Sequence, residues 1–157
     1  LLRVLRGGDL IRMEIFGILA GYHAGVCRTA VVGSPSLEQA KIWRNLIECK
    51  YLVLDLIKPG ARCKGIYEAF LQRFSELGFA PISFVGHGIG LFLHEEPYLG
   101  RYGDRVLEQG MVVAIEPLVY IPGRMGLQNK DMVAVTESGS ELLSDATPTD
   151  QLIEVPL

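Results

Sequence analysis

The sequence predicts an α+β domain in which an antiparallel sheet is covered by helices on one face. Three observations lead there. Strand-like runs open the chain, two apolar stripes at helical spacing follow, and strand-like runs return from Ile82 onward.

Residues 10–19 (LIRMEIFGIL) and 26–32 (VCRTAVV) read as strands, with AGYHAG between them as a hairpin loop. A helix then starts at SPSLEQ, where Ser36 as N-cap and Gln39 three residues on form a capping-box pattern. Ile42, Trp43, Leu46, Ile47, Val53, Leu54 and Ile57 recur at spacings of three and four, and Pro59-Gly60 stops the helix. In a second helix Ile66, Ala69, Phe70, Phe74 and Leu77 face inward, and Gly78 is placed to end it as the C′ residue. Ile82 to Val85 then leads into GHGIGLFLHEEP, MVVAIEPLVYI reads as one continuous buried strand, and residues 131–136 run into the turn signal ESGSE.

A chain of 157 residues suffices for one domain and is short for two. Hydrophobic residues make up 49% and mean hydropathy is +0.28, high for a small domain with much surface to wet. Self-association or membership of a larger domain is the expected consequence, and the opening on Leu1 rather than Met suggests a fragment. Net charge is −3 and the fifteen basic residues are scattered, which argues against nucleic acid as a partner. Cys27, Cys49 and Cys63 are odd in number and lack the paired spacing of zinc ligands, so they read as reduced thiols of a cytoplasmic protein. Leu77 to Leu93 is the most membrane-like stretch, but Pro81, Ser83, His87 and four glycines interrupt it, so no membrane partner is expected.

Four polar side chains stand in apolar or glycine-rich surroundings: Glu14, His87, Glu116 and Lys130. A carboxylate within MVVAIEP is costly to bury unless a cation, a metal or a proton accompanies it. The alternative is a strand-end residue that reaches water, helped by Pro117. His87 lies between Gly86 and Gly88, which allow another backbone or a ligand to approach closely, and histidine is the common acid/base group near neutral pH. His94 follows seven residues later, an odd separation that puts the two rings on opposite faces of a straight strand. They meet only if Gly88 and Gly90 bend or bulge the chain. HEEPY is not the zinc motif HExxH, because position 98 is tyrosine.

Taken in order, MEIFGILAGYHAGVCRT, IKPGARC, GHGIGLFLHEEP, GMVVAIEP and KDMVAVTESGSELLS resemble the "pita-bread" hydrolases, the superfamily of aminopeptidase P, prolidase, methionine aminopeptidase and creatinase. The likeness runs from about Gly8 to Ser144. It implies the pita-bread fold, a curved antiparallel sheet covered by helices, with residues 1–157 as a single incomplete domain whose first part is absent. It also implies an exposed apolar patch among Ile11, Met13, Ile15, Val26 and Val31, to be covered by preceding residues, another polypeptide or a second copy in a homo-oligomer.

In the metallopeptidases of that superfamily two ions are held by two aspartates, a histidine and two glutamates. The resemblance puts these positions on Glu14, Gly25, His87, Glu116 and Lys130. Gly25 offers no donor and Lys130 brings an ammonium, whereas two divalent ions need several anionic oxygens. The expectation is therefore no metal and no other cofactor, with an internal salt-bridge cluster in its place. The creatinase branch implies a metal-independent hydrolase of a C–N bond in a small nitrogenous compound. His87, His94 and Glu116 are the catalytic candidates there, and Glu14 and Lys130 the substrate-binding ones. Two alternatives are an Xaa-Pro aminopeptidase- or prolidase-like enzyme of short peptides, with one weak metal on Glu14, His87 and Glu116, and a catalytically inactive binding or assembly module.

Overall fold

The first two strands, β1 (Leu10–Leu19) and β2 (Tyr22–Val32), meet in a turn of only two residues in the computed structural model, which describes residues 4–145 and 147–157. Ala20 and Gly21 both take positive φ, 50° and 85°, the conformation that matches the twist of a tight hairpin. AGYHAG is thus not the loop the sequence suggested. The Ala-Gly pair makes the whole turn, and β2 already begins at Tyr22, pairing Ala24 and Gly25 with Gly17 and Phe16.

Helix α1 (Leu37–Leu56) opens with both halves of the predicted capping box. The Gln39 amide donates to the Ser36 hydroxyl at 3.2 Å, and the Ser36 amide donates to the Gln39 side chain at 2.8 Å. Helix α2 (Cys63–Glu76) ends as expected at Gly78, φ 83°. The amides of Gly78 and Phe79 close back onto the carbonyls of Ser75 and Phe74 in a Schellman motif. From α1 Ile42, Trp43, Leu46, Ile47 and Val53 are buried, and from α2 Ile66, Phe70 and Phe74, while Leu54, Ala69 and Leu77 are half-buried.

The remaining strands are β3 (Phe84–Gly88), β4 (Glu95–Gly100), β5 (Val112–Ile115), β6 (Leu118–Ile121), β7 (Met125–Gln128), β8 (Asp131–Val135), β9 (Ser140–Leu142) and β10 (Ile153–Val155). One sheet has the order β4-β3-β5-β8-β9, a second β1-β2-β10, and β6-β7 form a ribbon. All pairings are antiparallel except β10 with β2, which is parallel. The expected continuous strand MVVAIEPLVYI is split in two at Glu116-Pro117. Proline has no amide to donate to a ladder, so the chain leaves the sheet there and β6 pairs with β7 instead.

Strand alternation decides where a site can lie. Val85, Val113, Ile115, Val133 and Val135 share the main core with α1 and α2. His87 pairs with Ala114, which belongs to a separate small cluster with Ile89 and Met132, so the histidine faces away from the helices. Asp131 points the other way, accepting from Lys50 of α1 at 3.2 Å and Arg28 of β2 at 2.7 Å. The two sheets join at a bridge between Cys27 and Lys130, whose backbones exchange hydrogen bonds of 3.0 and 3.1 Å.

On the hairpin, Met13 and Ile15 are 40% and 63% exposed, and Ile11 and Val26 are half-buried. Val31 does not belong to this patch: it pairs with Leu10 and is buried in the main core, on the opposite face. No helix among the described residues is long and apolar enough to cross a membrane.

Candidate functional site

His87 is held by β3 between two glycines whose role is close packing of strands. A Cβ on Gly86 would strike the Ala114 carbonyl, and one on Gly88 would strike the carbonyl of Glu96. Register shifts between Phe84 and Gly86 and between His87 and Gly88 mark the bulged backbone that the sequence required for the histidines to meet. They do meet. The rings of His87 and His94 stack with centroids 3.6 Å apart and planes 14° from parallel.

The buried His87 ring donates from Nδ1 to the Gly88 carbonyl at 2.8 Å, because a carbonyl can only accept. Its Nε2 comes within 3.4 Å of Glu116 Oε1 without the geometry of a hydrogen bond and has no hydrogen-bonding partner among the described residues. The neutral ring thus keeps a lone pair on Nε2, beside a carboxylate that can stabilise the protonated form.

Glu116 directly follows β5, its amide donating to the Val85 carbonyl at 2.8 Å. Its Oε2 lies 3.2 Å from the Lys130 ammonium and accepts from the Gln128 amide at 3.4 Å. Burial by itself would raise the Glu116 carboxyl, but His87 and the Lys130 ammonium outweigh burial and hold it below its ordinary value. Lys130 is fully buried, and its Nζ also reaches Glu14 Oε1 at 3.3 Å. His94 is exposed overall but partly desolvated where it stacks on His87, and its shift is also downward, first because of that desolvation and then because of repulsion from His87. Glu14 and Glu116 bring two negative charges and Lys130 one positive. One negative charge is left for a protonated His87 or a bound cation to balance.

Gly25 completes the ring of positions. It pairs across the hairpin with Phe16, whose ring lies where a Gly25 side chain would begin: a Cβ there would sit 2.7 and 2.9 Å from two ring carbons. The same ring lies 5.2 Å from Lys130 Nζ, close enough for a cation–π contact. All five positions marked by the sequence, together with His94, therefore come together. Sequence reasoning missed Phe16 and Gln128. Phe16 was findable, since it lies two residues after Glu14 and shares its strand face. Gln128, which also accepts from Arg12 at 2.8 Å, carried no signal.

This donor set does not fit a two-metal centre. The Lys130 ammonium takes the space between the carboxylates, and Phe16 takes the space beside Gly25. Ligand atoms of His87, His94 and Glu116 lie within 4.8 Å of one another. Yet an ion binds a ring nitrogen in the ring plane at about 2.0–2.1 Å, and rings stacked with centroids 3.6 Å apart and planes 14° from parallel do not aim their lone pairs at one point.

Comparison with known proteins gives the same family from sequence and from structure. Metallopeptidase family M24 matches residues 2–137. The Xaa-Pro dipeptidase of Pyrococcus furiosus is 34% identical, over 87% of this chain and 40% of its own length. The probable dipeptidase PepE of Mycobacterium tuberculosis is 36% identical, over 99% of this chain and 42% of its own. The crystal structure of dipeptidase PepE from Mycobacterium ulcerans superposes with a TM-score of 0.93 at 34% identity, covering 99% of this chain and 42% of that one. The chain thus spans 40% to 42% of the length of these curated relatives.

Proposed function

The chain belongs to metallopeptidase family M24 and has its pita-bread fold, and from that premise we propose that it hydrolyses a C–N bond in a small nitrogenous compound without a metal ion. The observation that carries this reading is the fully buried Lys130 ammonium, 3.3 Å from Glu14 and 3.2 Å from Glu116. A buried cation in contact with both carboxylates supplies the countercharge that metal ions would otherwise provide.

The chemistry then rests on His87. Its Nε2 takes a proton from water as the water oxygen attacks the substrate carbon, and returns that proton to the departing nitrogen. Glu116 stabilises the imidazolium formed between these steps, and the Gly88 carbonyl fixes the tautomer through Nδ1. His94, exposed and stacked on His87, hydrogen-bonds the substrate. Lys130 holds Glu14 and Glu116 in place, and the remaining negative charge attracts a cationic substrate group. The same proposal takes residues 1–157 as one incomplete domain, completed by other chain. The free, buried thiols of Cys27, Cys49 and Cys63 fit the reducing cytoplasm.

The test is amine release from a panel of small guanidino, amidine and amide compounds and Xaa-Pro dipeptides, with and without a chelator. The proposal expects turnover that survives the chelator, and a loss of at least about a hundredfold in kcat for His87→Ala. The names of the relatives favour a second reading, short-peptide hydrolysis, which predicts dipeptide turnover only after manganese, cobalt or zinc is added. No turnover in either condition would leave a binding module.

A further inference from the structure

Phe84 stands edge-on to both histidines, its ring centroid 6.2 Å from His87 and 6.2 Å from His94. Tyr98 joins the same cluster, 5.7 Å from Phe84 with the planes at 82°, and 6.2 and 6.5 Å from His87 and His94. Tyr98 pairs directly with His87 across β3 and β4, so its side chain projects from the same face. Phe84 and Tyr98 are thus walls shared between the histidine pair and a cavity of about 530 Å³. None of Glu14, His87, Glu116 or Lys130 lines it; Tyr67, Ile82, Arg101 and Tyr102 do.

The volume lies within the roughly 300–1,000 Å³ of small-molecule sites. The Tyr67 hydroxyl already donates to the Ile82 carbonyl at 2.6 Å, so Tyr67 has ring surface rather than an idle donor to offer. Two rings at a right angle suit a third planar ring, which stacks on one and meets the other edge-on. An aliphatic group of the same size gains burial there but not that quadrupole complementarity.

We infer that this cavity receives a planar aromatic group of the substrate, with the polar end of the substrate turned toward His94. The inference rests on the reading of the adjacent site as one for a small nitrogenous compound, and it adds the group that such a compound carries. Tyr102, 85% exposed at the rim, is a contact that can be removed without disturbing the fold.

NMR titration of the isotope-labelled protein with benzamidine tests it, with acetamidine as the ringless control. The expected result is saturable shifts of the Phe84, Tyr98 and Tyr102 rings and of the His94 ring. Benzamidine should bind at least about tenfold more tightly than acetamidine, and Tyr102→Ala should weaken benzamidine about threefold or more, the scale of one aromatic contact. Equal affinity for the two amidines, shifts elsewhere on the molecule, or an unchanged Tyr102→Ala variant would overturn it. Benzamidine held in the cavity while no aromatic amide or amidine is hydrolysed would sink the hydrolase reading and leave the cavity assignment standing.

Discussion

Phe16 and Gly25 face each other across the hairpin, with a ring carbon of Phe16 2.7 Å from the point where a Gly25 Cβ would begin. No substituent enters at position 25 unless that ring moves. The bare backbone at Gly25, the ring of Phe16 and the ammonium of Lys130 therefore form one packed unit, since the ring also lies against the ammonium.

That coupling sets what it takes to give this site a metal. Gly25→Asp with Lys130→Glu supplies the carboxylates but leaves the aspartate in collision with Phe16. Adding Phe16→Ala opens the space. Manganese or cobalt titration by calorimetry should find near-stoichiometric binding in the triple variant and at least about tenfold weaker binding in the double, the signature of non-additive neighbours. Equal affinity in the two variants would show that Phe16 swings aside unaided and is no part of the device.

The cluster also gives the protein a defined response to acid. The pKa of His94 lies below the ordinary 6.5, so the unfolded chain takes up its proton first. Stability from this residue is therefore lost as pH falls below 6.5. Glu116 is likewise held below its ordinary 4.5, so its contribution is present above that value and is lost as pH falls through the lowered pKa. Urea denaturation from pH 8 down to about pH 2 should show two declines, the first beginning near 6.5 and the second below 4.5. His94→Gln should remove the first and keep the second. A wild-type midpoint that stays flat from above 6.5 down to 4.5 would refute the assignment of His94.

Most of this site could be read from the chain before its fold was known, because its members break a pattern. A carboxylate in MVVAIEP and a histidine between glycines are visible as costs that something must offset. The stacking of His87 on His94 was legible only as a condition, since the bulge that permits it is set by the pairing of β3 with β4. The split at Pro117 and the short strands β7, β9 and β10 were not legible. Strands of three or four residues carry too little alternation, and their existence depends on partners distant in sequence.

Asn129 shows what pattern reading misses in the opposite sense. It is fully buried beside Lys130, and neither its Oδ1 nor its Nδ2 has a partner among the described residues. A buried amide without hydrogen bonds costs about 1–3 kcal/mol, and leucine has nearly its shape. Asn129→Leu should raise the unfolding free energy by about 1 kcal/mol or more and leave any activity intact, because the contacts to Glu14 and Glu116 run through Lys130 and Gln128. A destabilised variant in urea denaturation would mean that the amide is satisfied after all.

The hairpin face supplies the last prediction. Met13 and Ile15 stand 40% and 63% exposed on one face of β1, with Ile11 and Val26 half-buried around them. At the tip Leu19 and its partner Tyr22, on the same face as Met13 and Ile15, are 83% and 63% exposed. Contiguous apolar surface of this kind marks an interface, since isolated soluble domains rarely leave it bare. β1 is also the outer strand of its sheet in the order β1-β2-β10, so its free edge can take another strand. The 157-residue chain alone should therefore associate: light scattering after size exclusion should give a concentration-dependent mass above 17.3 kDa, with binding of a hydrophobic dye. Met13→Lys with Ile15→Lys should shift that mass toward the monomer, since both side chains point away from Glu14 and the cluster it holds. A wild-type chain that runs as a dye-silent 17.3 kDa monomer at every concentration would show that this face needs no cover.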